Sequence, residues 1–359
     1  MKEGIGTRRR GERRGRVVKA AKYFLGCPSG PIGEIRSGIL IPLRSPRLRV
    51  TCISIALLAI LLPSCNLARQ HGRACDKRLQ RNDYTAKTFN SSGPHFTWQR
   101  NTGKEKLLLL HGYTGTGGLQ WSRTAKLLED TYDCILPDLL SHGRSAKWDT
   151  THAGRSLDDQ VAHVVLVLDS LGVKEPIAVV GNSYGGGVAA RLAELHPDRI
   201  KKLVIYDGLV SDYSAALADS IARAHGAPSM LAVMRTPAPK DLRFGIRLSL
   251  YKDPPLPGFI LKQIYREFAE PYRAAQITLI KDLMAHEDRF VHKRYDWKKP
   301  VYLIWGERDE LIPNATGRAV LKRNELPEDH WIVIPKTGHV ANIEKPKDFD
   351  RVLRGILAR

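Results

Sequence analysis

Six short runs, 107–110, 134–136, 177–180, 203–206, 301–304 and 331–334, are apolar at every position, and most are separated by stretches of helical periodicity. A strand with one face in water alternates polar and apolar side chains, whereas one that is apolar throughout must be covered on both faces. The repeated order therefore predicts an α/β domain: a mostly parallel sheet between two layers of helix. Helices are expected in the stretch holding Trp121, Leu127 and Leu128, and over 157–171, 188–195, 315–321 and 349–357. Two further strand-like segments, 84–89 and 95–100, come before the first all-apolar run.

The alternation breaks off between 209 and 297. That stretch is helical and punctuated by proline, with Leu261, Ile264 and Phe268, then Ile277, Ile280 and Met284, on single helical faces. It reads as a lid inserted into one α/β domain spanning 84–359. The segment 66–83 is polar and reads as a linker, and no internal repeat is found.

Upstream, residues 1–49 are rich in Arg, Gly and Pro and hold too little apolar surface for a core, so they read as a basic disordered extension or an upstream extension of the reading frame. The uncharged run 50–62 follows Arg44, Arg47 and Arg49 and ends at Pro63-Ser64-Cys65, the layout of a secretion signal. Leu62-Pro63-Ser64-Cys65 resembles the bacterial lipobox, which makes Cys65 the candidate lipidation site and predicts an exported protein held to a membrane by an acyl anchor, facing the periplasm or exterior. Thirteen apolar residues are too few to cross a bilayer of roughly 30 Å as a helix. Two cysteines remain in the mature chain, Cys75 and Cys134. A disulfide between them and a buried, inert Cys134 thiol are both open readings.

The net charge of +20 is concentrated at the start, since 13 of 57 basic residues and three of 37 acidic ones lie before residue 66. The remaining bases are dispersed and form no helical stripe, which argues against a nucleic-acid partner. No Cys or His spacing suggests a zinc or iron–sulfur site, and no cofactor is expected.

Gly181-Asn182-Ser183-Tyr184-Gly185 follows an apolar strand and opens a helix. That context makes a permissive G-x-S-x-G pattern a nucleophile elbow, with the Ser183 hydroxyl presented at the carboxyl edge of the sheet. Asp309 and His339 each lie just beyond the end of a later strand, the edge at which open parallel sheets place their sites. Glu307 and Glu310 flank Asp309, and Asp207, after the strand 203–206, is the other candidate acid.

The motifs LLLLHGYTG, PDLLSHGRS, GNSYGGG, GERD and TGHVANIEKP occur in the order in which they resemble the α/β-hydrolase superfamily, including its lidded ester and carbon–carbon bond hydrolases. Leu140-Ser141 stands where most relatives have Pro-Gly. The resemblance implies a triad of Ser183, Asp309 and His339, an acyl-enzyme, and an oxyanion hole from the backbone N–H groups of Tyr113 and Tyr184. It also implies that His111 and His142 hold loops and take no part in proton transfer. A serine at the elbow sets aside the dehalogenase and epoxide-hydrolase chemistries of this fold, which use aspartate there. Hydrolysis of short- or medium-chain acyl esters or monoacylglycerols is the leading expectation, with Met230, Met234, Met284, Leu231, Phe259 and Ile260 of the insertion offered as pocket or packing residues. Carbon–carbon cleavage of ring-fission products, acyl transfer, and a non-catalytic lipoprotein scaffold are the alternatives.

Overall fold

A computed structural model describes residues 66–91, 93–145 and 156–359. The extension 1–49 and the signal-like segment 50–65, with Cys65, lie outside the described residues.

The chain forms an eight-stranded sheet in the order β1-β2-β4-β3-β5-β6-β7-β8. The strands are β1 (Thr85–Asn90), β2 (Pro94–Gln99), β3 (Glu105–Leu110), β4 (Tyr132–Pro137), β5 (Ile177–Asn182), β6 (Ile200–Tyr206), β7 (Val301–Gly306) and β8 (Trp331–Ile334). β1 and β2 are antiparallel to their neighbours, and every pairing from β4 to β8 is parallel. The all-apolar runs are explained by two cores, one on each face. Leu108, Leu110, Val179 and Ile205 point into one, against the helices Leu157–Ser170 and Tyr184–Leu195. Leu107, Leu109, Val180 and Val204 point into the other, against Trp121 of Gly117–Leu127 and Phe349 and Leu353 of Pro346–Leu357. Successive side chains on a strand leave opposite faces, so both sets must be apolar.

Strand order reverses at β3. The chain runs outward to β4 and returns to β5, so the carboxyl ends of β3 and β5 flank a crevice at the switch point. Helices are numbered α1 (Leu67–Gln80), α2 (Gly117–Leu127), α3 (Leu157–Ser170), α4 (Tyr184–Leu195), α5 (Ala215–Ala224), α6 (Met230–Arg235), α7 (Pro239–Ser249), α8 (Gly258–Ile264), α9 (Arg273–Ala285), α10 (Asn314–Arg323), α11 (Ala341–Glu344) and α12 (Pro346–Leu357). Helices α5 to α9 make up the expected insertion. The second apolar set is displaced by one position there: Gln276, Leu279 and Leu283 are the buried stripe of α9, while Ile280 and Met284 face the crevice.

The stretch 66–83 differs from expectation. It is not a linker but helix α1, capped by the Asn66 side chain on the Arg69 N–H at 2.9 Å. Ala68, Cys75 and Leu79 recur at helical spacing and are buried, a stripe too sparse to stand out among the polar residues around it. The helix bridges the lid and the core. The Leu67 N–H donates to Gln263 Oε1 at 2.8 Å, Arg69 pairs with Glu267 at 2.9 Å, and Arg78 donates to Ser122 Oγ at 2.9 Å. The proposed Cys75–Cys134 disulfide is also corrected. Both are buried free thiols, Cys75 on α1 beside Ser122 and Cys134 inside β4.

Because Leu79 is only 1% exposed and packs in the core formed with Tyr84 and Trp98, Leu79→Ala should lower stability by about 2–5 kcal/mol in urea titrations. A freely hanging linker would show a change within about 0.5 kcal/mol.

Candidate active site

The turn from β5 into α4 is set by steric crowding. A β-carbon on Gly185 would stand 2.5 Å from the His111 carbonyl oxygen, so only glycine lets α4 begin this close to the end of β3. Ser183, between them, is held at φ 53°, a region that costs a non-glycine residue about 1–3 kcal/mol. Backbone hydrogen bonds maintain it. The Ser183 N–H donates to Tyr206 O at 3.0 Å, and Ser183 O accepts from Gly186 and Leu209 N–H, each at 2.9 Å. The side chain is partly open at the mouth of the crevice.

Across the crevice, a β-carbon on Gly112 would lie 3.1 Å from Ser183 Cβ. The missing side chain brings the 112–113 backbone alongside the hydroxyl. Tyr113 and Tyr184 line the same cavity as Ser183, and Tyr184 opens α4, whose N-terminal dipole favours negative charge at that point.

Asp309 and His339 meet after β7 and β8. His339 Nδ1 lies 2.7 Å from Asp309 Oδ2, with both side chains buried. Asp309 Oδ1 accepts from the Leu311 and Ile312 N–H groups at 2.9 and 2.8 Å, which fixes the carboxyl group in place. With Nδ1 donating to Asp309, Nε2 is the nitrogen left to exchange a proton. The flanking acids turn elsewhere: Glu310 pairs with Arg308 at 2.6 Å, and Glu307 accepts from the Lys336 N–H at 2.5 Å. Asp207 is fully buried near the pair, but its Oδ1 accepts from the Gly306 N–H at 2.9 Å, and it is Asp309 that holds the imidazole.

A polar network that the sequence reading missed ties these loops together. Gln120 accepts from the Gly112 N–H at 2.8 Å and donates to Asn182 Oδ1 at 2.6 Å. Asn182 Nδ2 donates to His339 O at 3.3 Å, and Asn342 Nδ2 donates to Gln120 O at 3.0 Å. Asn182 was visible in the elbow motif. Asn342 lay within TGHVANIEKP and Gln120 in no motif, and the burial of both becomes evident only after the loops have converged.

His111 and His142 hold loops, as expected. His111 Nδ1 donates to Gly112 O at 2.8 Å while Nε2 accepts from the Leu139 N–H at 2.9 Å. His142 Nδ1 donates to Leu140 O at 3.0 Å, and burial depresses this imidazole to about 4.

The cavity beside Ser183 is lined mainly by apolar side chains, among them Leu209, Met230, Leu231, Met234, Leu283 and Met284. All three methionines of the insertion therefore face the site. Phe259 and Ile260 do not line it, and Phe259 is 46% exposed on α8. Among the described residues the one charged lining side chain is Glu287, which accepts from the Ala215 N–H at 2.7 Å.

A family model described as "Alpha/beta hydrolase family" matches residues 107–352. A 2-hydroxy-6-oxononadienedioate/2-hydroxy-6-oxononatrienedioate hydrolase of Paraburkholderia phymatum is 29% identical over 285 residues, covering 72% of this chain and 88% of that protein. Lipase 1 of Psychrobacter immobilis is 26% identical over 264 residues, covering 72% and 79%. Among solved structures, a putative lipase of Acinetobacter baumannii superposes with a TM-score of 0.67 at 18% identity, covering 80% of this chain and 95% of its own, a likeness of fold.

Behind the crevice, burial and the adjoining His95 depress the His163 imidazole to about 3, and the two Nδ1 atoms lie 2.7 Å apart. An unfolded histidine titrates near 6.5, so between pH 6 and 4 unfolding takes up a proton at His163 and stability falls with acid by about 1.4 kcal/mol per pH unit. Asp138, pushed up to about 6 by burial, acts in the opposite sense, so the comparison must be with wild type. His163→Gln should flatten the pH slope of unfolding free energy by about one proton in that window, measured by urea titration at several pH values.

Proposed function

The chain belongs to the alpha/beta hydrolase family, and from that premise we propose that it is a serine hydrolase of uncharged acyl esters, acting on short- or medium-chain esters or monoacylglycerols. The observation that carries this reading is the lining of the cavity beside Ser183. Among the described residues it is mainly apolar, it includes no Lys, Arg or His side chain, and its one charge is the carboxylate side chain of Glu287. An acyl chain fits such a surface, whereas an anionic group would meet a like charge without a counter-ion.

In the proposed reaction His339 Nε2 takes the proton from Ser183 Oγ as the hydroxyl attacks the ester carbonyl, and Asp309 steadies the imidazolium that results. The tetrahedral oxyanion is received by the Tyr113 and Tyr184 N–H groups, donors of a kind worth roughly 2.7–4 kcal/mol each. His339 then protonates the departing alcohol, and water resolves the acyl-enzyme by the same route in reverse.

Carbon–carbon cleavage is the second reading, favoured by the 29% identity to the dienedioate hydrolase. That relative's named substrate carries two carboxylates, and the two readings separate on charge. The test is turnover by the full chain of p-nitrophenyl esters from acetate to palmitate, beside an anionic dienoate ring-fission product. Ester turnover should dominate and fall at least about 10⁴-fold in Ser183→Ala with the fold intact. Faster turnover of the dienoate would transfer the assignment to carbon–carbon hydrolysis.

A lipid tether at Cys65 belongs to the same proposal. No described helix is long and apolar enough to cross a membrane, and α1 begins at Leu67, where it already contacts Gln263 at the end of α8. An anchor at Cys65 would thus hold the lid side of the molecule near the lipid. Cys65→Ser should move the protein from the membrane to the soluble fraction on ultracentrifugation, with specific activity unchanged.

A further inference from the structure

Beside the carboxylate that holds His339 stands a second one that the proposed reaction does not use. Asp207 follows β6 at φ 43° and is fully buried. One atom each of Asp207, Asp309 and His339 fall within 4.8 Å of one another. Asp207 Oδ1 is occupied by the Gly306 N–H at 2.9 Å, but Oδ2 is buried with no donor facing it.

Two carboxylates this close and away from water do not both ionise. Their surroundings decide which one keeps the proton. Asp309 accepts two backbone N–H groups and the imidazole, whereas Asp207 accepts one N–H. Glu344, the other acid bearing on this cluster, is taken up by the Gly338 and Tyr251 N–H groups at 2.6 and 3.0 Å and adds further negative potential.

We propose that Asp207 is a positioning residue: it remains a neutral carboxylic acid whose Oδ2–H donates to the Asp309 carboxylate, confining to Asp309 the single negative charge that orients His339. The orphaned oxygen thereby gains a partner, and Asp309 gains a fourth hydrogen bond. Burial first, and the Asp309 charge second, push the Asp207 carboxyl well above the usual carboxylate range. The arrangement turns a buried like-charge pair, which would be strongly unfavourable, into a charge-assisted hydrogen bond. A role limited to holding Gly306 would need only Oδ1.

The protonation state can be read without activity, and the kinetic arm rests on the triad reading above. In ¹³C NMR of the full chain labelled at aspartate carboxyls, one resonance should stay at the protonated position at pH 8, where Asp138 is ionised. Its absence overturns the proposal whatever the enzyme's substrate. With a p-nitrophenyl ester, Asp207→Asn keeps a donor toward Asp309 and an acceptor for Gly306, so kcat/KM should stay within about threefold and its acid limb within about 0.3 pH unit. Asp207→Leu, which keeps neither, should lower kcat by about tenfold or more with KM little changed. A downward move of the acid limb by a unit or more in Asp207→Asn would reveal that a negative charge beside His339 had been removed, and would overturn the neutral assignment.

Discussion

The approach of α4 to the end of β3 leaves no room for a β-carbon at Gly185, and the consequences extend through the site. Ser183 is forced to positive φ, its hydroxyl stands clear of the sheet, and the first turn of α4 points its free amides at the same spot. Strain of this kind persists only where surrounding bonds over-determine it. Here the Tyr206 carbonyl, the Gly186 and Leu209 amides, and the Asn182 side chain together hold the turn. The two apolar cores beneath supply the rigidity, since β5 is buried along its whole length on both faces.

Polar groups enter this dry region only as members of a connected set. Gln120, Asn182, Asn342 and Tyr206 link the loop after β3, the elbow, the histidine loop and β6 through hydrogen bonds of 2.6 to 3.3 Å. A half-satisfied network would cost more than an apolar core, so its completeness also fixes the relative placement of the loops. The same logic distinguishes the acids. Donors converge on Asp309, and Asp207 is buried where they do not. General-base catalysis at neutral pH needs one firmly oriented imidazole, and one well-placed negative charge orients it better than two competing ones.

The lid contributes much of the apolar lining of the cavity beside Ser183. Its helices bring the three methionines and Leu283 to the cavity of Ser183, and Glu287 places the only charge among the described lining side chains. Helix α1 ties that lid to the body, pairing with Gln263 and Glu267 on one side and Ser122 on the other. Lid and N-terminal helix therefore form one packed unit.

The parallel sheet was legible because covering a strand on both faces demands an all-apolar run, a pattern local enough to see in four residues. The elbow and its partners were legible for a similar reason: glycine spacing and strand-end position are local properties, so Ser183, Asp309 and His339 could be named before any contact was known. Helix α1 was not, since three buried residues in fourteen do not outweigh a polar majority until the surface that buries them exists. Neither was the fate of Cys75 and Cys134, which depends on where two distant segments come to rest. The sequence by itself thus determined the fold class and the placing of Ser183, Asp309 and His339 at strand ends, because each is written in short-range pattern. Only the tertiary structure decided which acid meets the imidazole, which side chains line the pocket and which buried carboxyl lacks a donor. Those are properties of groups brought within a few ångströms from positions over a hundred residues apart, where distance and desolvation, rather than residue type, set the chemistry.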